Sequence, residues 1–253
     1  MFKKKQILLP VLLSALLLLA SCKGNEEKLP LSSEDNSSVL QSDTSTIEQE
    51  EEKQPVYTEK ISISNDFPEL EIKLFADQDD MGIYHAQSLE IYHASISTLP
   101  MQIIELDDCE SDTADFALTV EDMNFDGVKD LRLVSSKGVQ NTYYHCYVWD
   151  INSASFVLDE VLSSLASPKV VEDERAVTFL EYLSTTDSRE GTMKYLDGNW
   201  TLTMEKTQQF DEQTNLFTVT TKELKDGTLQ VTDEKTMTQE ELENQTSSQE
   251  EEE

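Results

Sequence analysis

The sequence predicts an all-β domain of mainly antiparallel sheets, propeller-like or meander, with one short helix. Three observations carry this. Apolar and polar residues alternate at period two through most of residues 56–238, the mark of strands with one buried face. Asp197-Gly198 and Asp226-Gly227 each separate two alternating runs, and Asp-Gly favours the positive φ that a two-residue hairpin turn requires. Only one stretch has clear helical spacing: Leu158, Val161, Leu162 and Leu165 fall at i, i+3, i+4 and i+7, and Pro168 stops the element.

Ahead of the domain, Lys3, Lys4 and Lys5 precede a run of residues 7–20 that is apolar apart from Pro10 and Ser14, and Leu19-Ala20-Ser21-Cys22 follows. A basic start, a short apolar stretch and small residues at a cut site describe a secretory signal over residues 1–21. The run is shorter than the roughly 20 apolar residues a membrane-spanning helix needs. The Leu-Ala-Ser-Cys sequence resembles the bacterial lipobox. That resemblance implies a diacylglycerol on the thiol of Cys22 and an extracytoplasmic protein anchored to the cell membrane, or to an outer membrane where there is one. Two acyl chains anchor stably where one does not. Residues 22–55 are then a disordered acidic linker, since Ser, Glu, Asp, Gln and Thr cannot bury enough apolar surface to offset their ordering entropy. Residues 239–253 read the same way, as an acidic tail.

Within 56–238 the strands follow in order. Ile61 and Ile63 alternate with polar residues, then Leu70, Ile72 and Leu74, then Phe116, Leu118 and Val120. Tyr143, His145, Tyr147 and Trp149 share one face of a run whose other face carries Tyr144, Cys146 and Val148. Residues 174–183 fit helix or strand, and neighbouring strands favour strand. Thr192–Leu196 pairs with Trp200–Met204 across the first Asp-Gly, and Leu216–Leu224 with Thr228–Thr232 across the second.

Charge narrows the function. The chain carries a formal net charge of −32, and residues 55–238 alone hold 35 acids against 13 lysines and arginines. Such a surface repels phosphate backbones, which excludes nucleic acid. It also repels anionic headgroups, so the lipid must hold the membrane. It favours cations or a basic partner. Besides Cys22, Cys109 and Cys146 form an even pair in an exported domain; a disulfide between them is one reading and two separately buried thiols the other.

One segment carries chemistry. Residues 122–131 place oxygen side chains at loop positions 1, 3, 5 and 9: Asp122, Asn124, Asp126 and Asp130. Gly127 sits at position 6, where the chain must turn sharply, and Val128 at position 7 offers a carbonyl. Calcium takes six to eight oxygens, and this spacing wraps a chain round one ion. Leu133 stands where an EF-hand has its bidentate Glu, and the flanks read as strands rather than helices. The loop instead resembles the calcium hairpins of integrin-type propeller repeats. The related Asp77-Gln78-Asp79-Asp80-Met81-Gly82 has Met81 at its fifth position and reads as a turn.

From this Asp-x-Asn-x-Asp-Gly-x-x-Asp-Leu loop, through Asn141-x-x-Tyr144, Tyr147-Val148-Trp149-Asp150, Phe156, Leu162–Pro168 and Tyr195-Leu196-Asp197-Gly198, the chain resembles a family of bacterial periplasmic proteins and lipoproteins. Their domain is propeller-like, and some inhibit lysozyme-like cell-wall hydrolases. The resemblance spans about a third of the chain and implies a structural calcium ion, a propeller-like arrangement of the sheets and a protein partner in the envelope.

Enzyme signatures are missing. The only histidines are His85, His93 and His145; no His-Glu-x-x-His, Gly-x-Ser-x-Gly or glycine-rich phosphate loop occurs. The expectation is a binding protein rather than an enzyme. Trp149 and Trp200 are the aromatics on which a glycan-binding or solute-sensing module would rely, and an unrecognised hydrolase would need a polar cleft.

Overall fold

The computed structural model describes residues 53–95 and 98–250. The signal segment, Cys22 and the linker up to residue 52 lie outside the described residues. Among those described, no helix is long and apolar enough to cross a membrane.

The chain folds into three consecutive antiparallel meanders. The first is β1 (Tyr57–Ile61), β2 (Leu70–Gln78), β3 (Tyr84–His93) and β4 (Gln102–Glu105), with β5 (Glu110–Ser111) pairing to the start of β3. The second is β6 (Thr119–Glu121), β7 (Asp130–Lys137), β8 (Thr142–Asp150) and β9 (Ser155–Leu158). A short helix, α1 (Glu160–Ser163), leads to the third: β10 (Lys169–Val171), β11 (Ala176–Tyr182), β12 (Ser188–Leu196), β13 (Asn199–Asp211), β14 (Leu216–Lys225) and β15 (Thr228–Met237). Helix α2 (Gln239–Glu250) follows. The all-β, mainly antiparallel expectation therefore holds, with the sheets built as meanders, and Ala176–Tyr182 of the ambiguous stretch form strand β11 as their neighbours suggested.

Two cores join the sheets in series. The first contains Leu70, Ile72, Leu74, Leu89 and Ile91 from the first sheet and Leu131, Leu133, Tyr147, Trp149 and Phe156 from the second. The second contains Cys146 and, packed at its margin, Tyr144 and Val148, against Val177, Phe179 and Met193 of the third sheet. The two faces of β8 thus feed two different cores, as its alternation of aromatics predicts. A strand covered on both sides is the centre of a layered domain rather than its rim. Gln102 fastens the first two sheets edge to edge: its amide donates to the Phe156 carbonyl at 2.7 Å and accepts the Phe156 N–H at 2.9 Å.

Both Asp-Gly turns are hairpins. Asp197 and Gly198 have φ of 52° and 81°, and Asp226 and Gly227 have 51° and 78°, the double positive φ that right-twisted strands need. Gly191 on β12 answers a different demand. A Cβ there would lie 2.6 Å from the Phe179 ring, so only glycine lets that ring lie against the strand.

Two expectations are corrected, and the alternative left open for the cysteines is decided. The helix expected over residues 158–165 is only Glu160–Ser163. Leu158 ends β9, and the Asp159 carboxylate accepts the Leu162 N–H at 2.9 Å, fixing the helix start one residue later. The acidic tail is not a disordered spacer as far as residue 250. Thr238 and Glu241 form a capping box, with Glu241 accepting the Thr238 N–H at 2.8 Å and Thr238 Oγ1 accepting the Glu241 N–H at 3.3 Å. Leu242 then packs on the Phe217, Val219 and Met237 cluster. Finally, Cys109 and Cys146 are free thiols, both buried. Cys109 belongs to the first core and Cys146 to the second, so they pack in different layers of the molecule.

Candidate calcium loop

Residues 122–129 connect β6 to β7 as a tight loop. Its curvature comes from Phe125 and Gly127, with φ of 62° and 91°. The short acidic side chains hold this shape by accepting backbone N–H groups. Asp122 takes those of Asp126 at 3.1 Å and Gly127 at 2.9 Å; Asn124 takes that of Asp126 at 3.0 Å; Asp126 takes that of Val128 at 2.8 Å. The Asn124 amide also donates to Asp126 at 3.0 Å. Asn and Asp form such local bonds readily, which is why they populate turns.

Asp130 behaves differently. It is fully buried, with one carboxylate oxygen accepting the Met123 N–H at 2.8 Å and the other the Trp149 N–H at 2.9 Å. Burial pushes its carboxyl up to about 7, assisted by the charge of Asp126 and opposed by the Trp149 and Met123 N–H groups. Val128 turns its side chain onto the first core.

The loop touches all three sheets. The Lys129 N–H donates to the Ile63 carbonyl, just past β1, at 2.8 Å. Asp130 reaches β8 through Trp149. The Arg175 guanidinium, at the start of β11, donates to the Phe125 carbonyl at 2.6 Å and lies 5.5 Å from the Phe125 ring. Met123 drops into the second core. Sequence reasoning found the loop but missed Arg175 and Trp149, for no local pattern ties a residue 19 or 50 positions away to a loop carbonyl or carboxylate.

The donor set suits a hard cation. It consists of oxygens alone, and a carboxylate oxygen that accepts one N–H keeps a further lone pair. Asp122, Asn124 and Asp126 therefore retain acceptor capacity while holding the loop. Among the described residues no group of three or more His, Cys, Asp or Glu side chains is placed to hold a metal ion; Asp130 in particular is committed to backbone amides.

The remaining candidates are not gathered into one site. His85 and His93 lie near opposite ends of β3. His85 sits between the carboxylates of Asp79, at 3.4 Å, and Glu110, at 3.3 Å. Asp79 accepts the N–H groups of Met81 and Ile83 at 2.9 Å each, so residues 79–82 form the turn after β2, in keeping with the reading of this stretch as a turn. Trp149 is buried, edge-on to both Phe67 and Phe156, which removes it as a glycan platform. Trp200 stacks edge-on to Tyr195 and donates its indole N–H to Asp159 at 2.7 Å.

No family model matches the chain, and no curated protein matches it. Among solved structures, the chain is similar to a Xanthomonas type IV secretion system related protein, with a TM-score of 0.53 and 14% sequence identity. The likeness covers 70% of this chain and 98% of that one. The class of molecule is thus an all-β protein of three antiparallel meanders, with a fold shared by a bacterial secretion-system-related protein.

Proposed function

We propose that this chain is an exported lipoprotein, anchored through a lipid on Cys22, whose β domain binds and inhibits a basic cell-wall hydrolase of the envelope. The observation that carries the reading is the domain's unspent acidity. At least nine of the 13 lysines and arginines in residues 55–238 are already ion-paired within the domain. Acids outnumber these cations 35 to 13, so most of the acidity has no cationic partner within the domain, and enzymes that work on anionic walls are commonly basic. Long-range attraction of that kind raises the encounter rate and selects partners by charge. The fold of the secretion-system-related neighbour is compatible with a bacterial envelope role.

Calcium is part of the proposal. An ion held by Asp122, Asn124, Asp126 and the Val128 carbonyl would neutralise a loop that joins all three sheets, and so stiffen the whole domain. Asp130 would complete the loop from within, through its backbone bonds.

The test is a hydrolase assay with the purified protein and basic lysozyme-type enzymes. Stoichiometric loss of activity supports inhibition; undiminished activity with no complex formed sinks it. In cells, Cys22→Ser should move the protein from the membrane fraction to the soluble extracytoplasmic fraction. Retention in the membrane would remove the anchor.

A further inference from the structure

The proposed function leaves open which surface meets the partner. The calcium loop is a poor choice, because its polar side chains are engaged in holding the loop's own backbone. Away from it, at the other end of β7, the structure holds an open cleft of about 710 Å³. One wall is the segment Asp108–Thr113, which carries β5. The other is the end of β7 and the turn that follows it, Ser135–Val139. Val134 and Tyr144 line its apolar part.

Three features set this cleft apart. Its charge is mostly negative: among its lining residues Asp108, Glu110 and Asp112 face a single lysine, Lys137, which Asp112 binds at 3.2 Å, while Glu110 lies 3.3 Å from His85. Its rim is apolar where a turn needs no apolar residue. Val139 is completely exposed at 104%, and Leu183 on the neighbouring hairpin tip is 58% exposed. Its rim is also held in place. The Asn141 amide donates to the Tyr182 carbonyl and accepts the Tyr182 N–H, both at 2.9 Å, joining the β7–β8 and β11–β12 tips. The Gly138 N–H donates to the Asn141 carbonyl at 2.8 Å, closing the first tip.

We infer that this cleft and its two hairpin tips are the docking surface for a basic protein. An arginine or lysine of the partner enters the cleft beside the wall that carries Asp108 and Glu110, and partner apolar groups cover Val139 and Leu183. A guanidinium suits a wall lined by carboxylates because it donates along several directions at once. Exposed apolar tips gain from burial only when something covers them. A small cation would fill the cleft without reaching the tips, so the occupant is a macromolecule. The same acids repel nucleic acid, so it is a protein. Rigid tips lose little freedom on docking, which favours tight association. This inference rests on the reading of the chain as a binder of basic hydrolases and assigns that activity a place.

The experiment measures binding of the detergent-purified full chain to a basic lysozyme by biolayer interferometry. Glu110→Lys combined with Asp112→Lys should weaken binding at least tenfold, and so should Val139→Asp alone. Asp108→Asn serves as a gentler variant, because Asn tolerates the φ of 64° at that position; it should weaken binding severalfold. Val231→Asp, on exposed β15, is the control and should stay within twofold of the unaltered chain. Wild-type affinity that survives all the cleft variants overturns the assignment of this surface and leaves the inhibitor reading standing. No binding by the unaltered chain overturns the inhibitor reading and this surface with it.

Discussion

The two ends of β7 use acidic side chains in opposite ways. At the Asp130 end, the carboxylate is fully buried and both its oxygens bind backbone N–H groups of other segments. Seven residues along the strand, about 23 Å at the usual rise, Asp108, Glu110 and Asp112 stand exposed round a cleft rimmed by Val139. The first arrangement is committed to folding and leaves nothing for a partner. The second contributes little to folding and stays available. A single strand thus separates an acid bonded to buried backbone amides from exposed acids whose neighbours, Lys137 beside Asp112 and His85 beside Glu110, lie at the surface.

The largest expected effect tests the folded end. Asp130→Ala leaves the Met123 and Trp149 N–H groups buried without acceptors, each costing about 1–3 kcal/mol, so the variant should lose roughly 3–5 kcal/mol in urea unfolding. Asp130→Asn keeps one acceptor oxygen and should fall between Ala and wild type. An Ala variant as stable as wild type would show that the carboxylate is not what joins the loop to β8.

Next in size is calcium. An ion that binds only the folded form at about 100 times its dissociation constant adds roughly 2.7 kcal/mol. Melting temperature should therefore rise with calcium, fall with chelator, and lose that response in Asp126→Ala. A melting curve indifferent to calcium would remove the ion and leave the loop held by its own hydrogen bonds alone.

Much of this contrast was legible in the sequence, for physical reasons that can be named. The period-two pattern of residues 143–149 is local, so it showed that β8 has two apolar faces, and the two cores now account for both. The spacing of Asp122, Asn124, Asp126 and Gly127 is likewise local, because each oxygen binds an amide within five positions. Asp130 was read as one more loop oxygen because the identity of its partner, the Trp149 N–H, depends on strand pairing and not on spacing. Cys109 lies in an irregular segment with no periodicity to give its side, so its separation from Cys146 was invisible. The Thr238-x-x-Glu241 box was there to be read, but the acidity of the segment argued for disorder and concealed it. The cleft had no sequence signature, since Asp108–Thr113 meets Ser135–Val139 only through the fold.

A smaller effect comes from the third sheet, where an acid is held by cations instead of amides. Glu205 accepts bonds from Lys222 at 2.9 Å and Arg189 at 2.8 Å and is largely buried. The Lys222 bond first, and the Arg189 bond after it, hold its carboxyl below the usual range against the opposing pull of burial. A depressed pKa means that the ionised form is favoured by folding. Its contribution is therefore present above the unfolded pKa and is lost as pH falls through the folded one. Glu205→Gln should cost about 1 kcal/mol at pH 7, with the gap from wild type closing as pH drops below about 4. A gap constant across that range would mean that the loss comes from packing and not from charge.

The smallest effect is the sharpest test of the exposed end. Val139 is completely exposed, and the bond that closes its turn runs between the backbone of Gly138 and Asn141 without involving its side chain. Replacing it with Asp removes no burial and adds one more acid beside a cleft already open to water. Surface changes of this kind stay within about 0.5 kcal/mol, so Val139→Asp should unfold at the wild-type urea midpoint. The same substitution should abolish most of the lysozyme affinity. A loss of stability comparable to that of Asp130→Ala would mean that both ends of β7 serve the fold, and the division between them would not stand.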